Sequence, residues 1–244
     1  MQSIDRAMHI VKVLIQHYPN QFSITELAKE CKLPASSLHR NLNAMIKHEM
    51  IQQDPKSKLY GLGNMWLEYG LIVYDTLDYV SVLRPELENL MRTVEATVYL
   101  SKPIGTESII IERIDCINQT IRVHDKLGLR TPLYEGAANL TMLAHMPPEF
   151  VEKVVIESVP EGERTAFFQR LNRIKIDGYE LLQDEQNDGI SFIASPILNH
   201  YGGVIGAVSI KLNISNLEDE TLKGIIDEVI NTGNKISWKM GIKN

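Results

Sequence analysis

The stretch from Pro34 to Lys58 constrains this chain more than any other. Proline opens a helical pattern running to about His48, in which Leu38, Leu42, Met45 and Ile46 form one apolar stripe. The opposite side reads Ala35, Ser36, Ser37, His39, Arg40, Asn43 and Lys47, with no carboxylate. Short and hydrogen-bonding side chains followed by cations suit a helix that enters a DNA major groove, reaching base edges and phosphates. Two shorter helical patterns precede it. Ser3 stands ahead of Ile4, Ala7, Met8, Val11, Leu14, Ile15 and Tyr18, a one-face spacing that Pro19-Asn20 ends. Ser23 and Glu26 form a capping box for a second helix that buries Ile24, Leu27 and Ala28 and carries Thr25 in its first turn. After the third helix, Ile51 to Gln53 and Leu59 to Leu62 flank the turn Asp54-Pro55-Lys56-Ser57-Lys58, a hairpin with a lysine-bearing tip. Three short helices and a basic hairpin spell a winged helix-turn-helix, with Lys56 and Lys58 on the wing. The same pattern also fits a winged helix that docks onto protein.

Charge separates this segment from the rest. Residues 1–70 carry a net +2 and residues 71–244 a net −8, within an overall −6. A small basic module is joined to an acidic body. Apolar runs such as Ile109 to Ile111 are far shorter than the ~18–20 residues of a membrane span, so no membrane partner is expected. The opening MQSIDRAMHI lacks the pattern of an export signal. Two cysteines, Cys31 and Cys116, are too few for a disulfide framework or a zinc site and fit a cytoplasmic location.

From Asn64 to about Asp78 a helical pattern is apolar nearly all round, through Met65, Trp66, Tyr69, Leu71, Ile72 and Tyr74. Such an element must be covered, by a second copy of the chain or by the larger domain. A further helix, Val82 to Val94, has Pro85 in its first turn. Beyond residue 95, strands are expected at Thr97–Pro103, Ser108–Ile114, Gln119–His124, Ile190–Leu198 and Val204–Leu212. Helices are expected at Gly136–His145, Glu149–Ser158, Thr165–Ile174 and Glu218–Met240. The order points to an α+β chain with an antiparallel sheet and helices on its faces.

The seven histidines never take a two-histidine zinc spacing, and no phosphate-binding Gly-Lys-Ser/Thr loop or nucleophile elbow occurs. Adjacent Asp184-Glu185 sits in a polar loop, where carboxylates are solvated rather than catalytic. No catalytic residue, metal site or cofactor is expected, and the chain is not expected to be an enzyme.

Taken in order, several segments resemble the IclR-type bacterial transcription regulators: Ser23 to Ala28, Leu33 to Arg40, Tyr60-Gly61-Leu62-Gly63, Leu83-Arg84-Pro85, Thr131 to Tyr134, Asp177-Gly178-Tyr179, Asp184-Glu185, Gly189-Ile190 and Ala194-Ser195-Pro196. The resemblance covers nearly the whole chain. It implies an N-terminal all-α winged helix-turn-helix with a small β-wing at residues 1–63, a linker helix at 64–80, and a GAF-like α/β domain with a mainly antiparallel sheet at 81–244. It further implies a transcriptional regulator, a repressor sooner than an activator. Its partners would be a double-stranded DNA operator, a small organic-acid effector and further copies of itself, as a homodimer or dimer of dimers. The alternative is a GAF-type small-molecule module whose winged helix contacts protein. By resemblance the effector site comprises Ala137, Ala138 and Asn139 at a helix start, with Leu182, Phe192, Ser209 and Lys211. Phe192 equally suits the core, Lys211 a solvent-facing strand end, and Ser209 a hydroxyl satisfied by backbone. Period-two spacing puts Ser209 and Lys211 on one face, which favours a carboxylate ligand with Lys211 as counter-ion and Asn139 reading a hydroxyl.

Overall fold

The computed structural model describes residues 3–75, 78–116, 126–183, 189–215 and 217–242. The chain divides into two compact units, Met1–Asp78 and Tyr79–Asn244.

The first unit contains α1 (Ser3–Gln16), α2 (Ile24–Glu30), α3 (Ala35–Lys47), the antiparallel pair β1 (Ile51–Gln53) and β2 (Tyr60–Leu62), and α4 (Met65–Asp75). Its core gathers Ile10, Val11 and Leu14 from α1, Leu27 from α2, Leu38, Leu42 and Met45 from α3, and Ile51 and Tyr60 from the wing. In α2 and α3 these are the stripe positions that periodicity predicts. In α1 they are not all so: Val11 and Leu14 are buried as expected, but Ile10 and Val13 join them while Ile4, Met8, Ile15 and Tyr18 of the expected stripe are exposed, because α3 and β2 pack on the side of the helix centred on Ile10 and Leu14. Ser23 caps α2 as expected: its hydroxyl accepts from the Glu26 N–H at 3.3 Å, while its own N–H donates to the Glu26 carboxylate at 2.8 Å. Ser3, expected just outside α1, is itself helical. Tyr60 exchanges backbone hydrogen bonds with Phe22, tying the wing to the turn before α2.

The second unit opens on α5 (Asp78–Val94) and then builds β3 (Thr97–Ile104), β4 (Glu107–Ile114), β5 (Arg130–Pro132), α6 (Ala137–Ala144), α7 (Pro148–Ser158), α8 (Arg164–Asp177), β6 (Glu180–Gln183), β7 (Ile190–Leu198), β8 (Val204–Asn213) and α9 (Asp219–Ile242). The six strands form one antiparallel sheet in the order β5-β4-β3-β8-β7-β6. Alternation along the strands sends residues to two different cores. Val98, Leu100, Ile193, Ile197, Val208 and Ile210 meet Leu83, Leu87 and Leu90 of α5 and Val229 and Ile236 of α9. On the other side Ala207 joins Leu140 and Leu143 of α6, Val154 and Val155 of α7, and Leu171 and Ile174 of α8. Gly178 ends α8 with φ +78°, the left-handed conformation that glycine adopts without a steric penalty.

The sequence-based picture needs three adjustments. Helix α5 begins at Asp78, so Pro85 lies inside it rather than in its first turn; the proline is solvent-exposed, where the carbonyl left without an N–H partner can meet water. Strands β5 and β6 carry no pattern that announces them, because three and four residues are too few to display alternation. The expected strand Gln119–His124 and the Asp184-Glu185 pair lie outside the described residues.

Candidate functional site

Two surfaces carry chemistry, one in each unit. In the first unit α3 buries Leu38, Leu42 and Met45 and leaves Ala35, Ser36, His39, Arg40, Asn43 and Lys47 exposed, with Ser37 half-buried. Asn43 Nδ2 and His39 Nδ1 share a hydrogen bond at 3.3 Å, which links the two side chains one turn apart on the exposed face. Asn41 Nδ2 donates to the Ser37 carbonyl at 2.7 Å, holding the first turn from its flank. Thr25 is exposed in the first turn of α2. At the wing tip the Asp54 carboxylate accepts from the N–H groups of Lys56 (2.9 Å) and Ser57 (2.6 Å) and from the Ser57 hydroxyl (2.9 Å). The Ser57 N–H foremost, with its hydroxyl, holds the Asp54 carboxyl below its usual range. That turn is therefore fixed, and it displays Lys56 and Lys58 to solvent. Glu26 is likewise lowered, first by the Ser23 backbone N–H. Cys31, at the end of α2, is buried and its thiol is pushed up to about 11 by desolvation, so it is an unreactive core group.

The second site is a cavity of about 160 Å³ between the sheet and the start of α6. Six of the seven expected positions meet there: Ala137, Ala138, Asn139, Leu182, Phe192 and Ser209. Helix α6 has no side-chain cap at Gly136, so the first-turn amides of Ala137, Ala138 and Asn139 are not taken by an N-cap side chain. Asn139 is buried, and its Nδ2 donates to the Pro132 carbonyl at 2.9 Å, bracing the end of β5. Lys211 does not line the cavity. It pairs with Phe192 across β7 and β8, and its Nζ lies 5.1 Å from the Phe192 ring centroid, a cation–π contact. Phe192, by contrast, lines the cavity and is only half-buried.

Sequence reasoning missed Tyr99, Ser101, Ser108, Thr131 and Glu135, all of which line the cavity. The spacing Tyr99/Ser101 and Ser108/Ile110 was available as a signal of one strand face, but which face met α6 depends on the strand order.

Residues 3–55 match the model of the IclR helix-turn-helix domain, and residues 72–238 match the bacterial transcriptional regulator IclR C-terminal domain. The chain belongs to the IclR family of bacterial transcriptional regulators. It is similar to the HTH-type transcriptional regulator KipR of Bacillus subtilis, at 28% identity over 98% of this chain and 97% of that one. It is also similar to the DNA-binding transcriptional repressor YiaJ of Escherichia coli, at 26% identity over 98% of this chain and 88% of that one. Among solved structures, an IclR homolog from Microbacterium hydrocarbonoxydans, complexed with 4-hydroxybenzoate, superposes with a TM-score of 0.81 at 20% identity, covering 98% of this chain and all of the other. Fold and relatives are those of regulators, not of enzymes. Among the described residues no helix is long and apolar enough to cross a membrane, and no cluster of three metal-ligating side chains occurs.

Proposed function

We propose that the protein is a cytoplasmic repressor that binds a double-stranded DNA operator through α3 and the wing and changes its operator affinity when a small organic acid enters the α6 cavity. The observation that carries the DNA half is the exposed side of α3, which combines Ser36, His39, Arg40, Asn43 and Lys47 with no carboxylate. Ala35 and Ser37 allow close approach to a groove, Thr25 reaches toward backbone from α2, and Lys56 and Lys58 supply phosphate contacts from the wing. A relative named as a repressor supports the sign of regulation.

The effector half rests on Ala137, Ala138 and Asn139, whose first-turn amides at an uncapped helix start suit a carboxylate. Ser209 adds a hydroxyl, and Leu182 and Phe192 cover a less polar part. Lys211 stands outside the lining, with its Nζ 5.1 Å from the Phe192 ring centroid. The organic acid bound by the M. hydrocarbonoxydans homolog supports the ligand class.

Assembly as a homodimer or dimer of dimers is supported by α4, which buries none of its residues and exposes Leu67, Tyr69, Leu71 and Ile72, and by Ile4, Met8 and Ile15 exposed on α1 of the same unit. Titrating the protein into a random duplex at increasing salt tests the DNA half. Affinity falling steeply with salt, with a slope set by the phosphates neutralised, is expected; absent or salt-insensitive binding would favour a winged helix that contacts protein.

A further inference from the structure

We propose that the effector is a small polar α-amino acid bound as its zwitterion, an inference that rests on the effector role of the α6 cavity and specifies what fills it. The charge around the cavity is the first reason. Among the described residues its lining includes no lysine, arginine or histidine, and it does include Glu135, whose carboxylate forms no ion pair with them. A plain carboxylate would gain the amides of Ala137 to Asn139 but would also meet Glu135, a like charge at the same corner. Glu135 stands one residue before the N-cap Gly136, so an acceptor of cations and a set of anion-binding amides are adjacent. An α-amino acid carries its ammonium and carboxylate on one carbon. Its two charges therefore match the two neighbouring sites, and each offsets what would repel the other.

The second reason is a row of hydroxyls. Ser108 on β4, Ser101 on β3 and Ser209 on β8 occupy adjacent strands and line the cavity, at 3%, 5% and 7% exposure. None of these hydroxyls has a hydrogen-bond partner among the described residues, whereas most buried polar side chains are satisfied. They are aimed into the cavity. A ligand with a hydroxyl or amide side chain supplies the missing partners, and an aliphatic one leaves them empty. The volume, about 160 Å³, is below the ~300–1,000 Å³ of drug-sized ligand sites and suits a small ligand.

Calorimetry with the full-length protein tests the proposal, using the twenty common L-amino acids and the des-amino partners of the polar ones: 3-hydroxypropanoate for serine, 3-hydroxybutanoate for threonine and succinamate for asparagine. A polar amino acid is expected to bind at least about tenfold more tightly than its des-amino partner, and Glu135→Gln to reduce that gap to about threefold or less without weakening the des-amino acid. Because Glu135 is exposed, the variant is expected to melt with the wild type. The proposal is overturned if no amino acid binds at millimolar concentration, if a des-amino acid binds as tightly as its partner, or if Glu135→Gln leaves the gap intact. A des-amino acid that binds as tightly as its amino partner and alters operator affinity would sink the zwitterion alone; if no acid of either kind does so, the effector role of the cavity fails with it.

Discussion

Arg84 of α5 donates from Nη1 to Glu112 Oε2 of β4 at 2.9 Å, and a β-bulge makes that contact possible. Leu100 of β3 pairs with Glu112 while Ser101 pairs with Ile110, so Ile111 is one residue too many. Ile110 consequently lines the α6 cavity, whereas Glu112, two residues on, lies with Leu100 on the α5 side of the sheet. The carboxylate is buried and also accepts from the Arg113 N–H at 3.0 Å. Arg84→Ala removes the charged donor and is expected to cost the second unit about 1–3 kcal/mol in urea denaturation. Arg92→Ala, which loses only a 3.9 Å contact to Glu88 on the surface, should change stability by less than about 0.5 kcal/mol. Equal effects would mean that the buried pair contributes nothing special.

Gly63, just after β2, donates its N–H to the Met50 carbonyl, and a Cβ built on it would lie 1.9 Å from the Glu49 carbonyl oxygen. The wing therefore closes onto the end of α3 only when this position has no side chain. Gly63→Ala should lower first-unit stability by about 1–3 kcal/mol and weaken DNA binding in parallel. Gly70→Ala, where a Cβ meets nothing within 4 Å, is the matched control and should be neutral or slightly stabilising.

His145 ends α6, where desolvation foremost, with Lys175 nearby, lowers its pKa below 6.5 despite its hydrogen bond to the Thr141 carbonyl. The folded state thus takes up the proton less readily than the unfolded chain. Its contribution to stability is complete above about 6.5 and is lost as pH falls from there through the depressed folded value. Denaturation midpoints measured from pH 7.5 down to 5 should fall more steeply for wild type than for His145→Gln. Parallel slopes would assign the acid sensitivity to other groups.

In the first unit α2, α3 and the wing were legible because their signals are local, whereas the buried side of α1, centred on Ile10 and Leu14, depends on what packs against it. The Ser23/Glu26 box, the Leu38/Leu42/Met45 stripe and the Asp54 turn each need only neighbours in sequence, and all three stand in the structure. The cavity was legible in part. Period two correctly put Ser209 and Lys211 on one strand face, but nothing local says that Phe192 on the next strand stands beside Lys211 while Lys211 itself stays out of the lining. Ser101 and Ser108 escaped notice because their convergence depends on strand order and on the bulge at Ile111. The brace from Asn139 to Pro132 escaped it too, since β5 shows no pattern of its own.

The most direct measurement compares wild type with an Arg40→Ala, Asn43→Ala double variant on a duplex selected from genomic fragments by the wild-type protein, each competed against random DNA. Both side chains are exposed on α3, so the variant should keep the wild-type circular dichroism and melting transition. Wild type should prefer its selected site by roughly 10³-fold or more, and the variant should lose at least about tenfold of that preference while Lys56 and Lys58 sustain residual, salt-sensitive binding. Selectivity that survives the substitution undiminished would contradict sequence reading by α3.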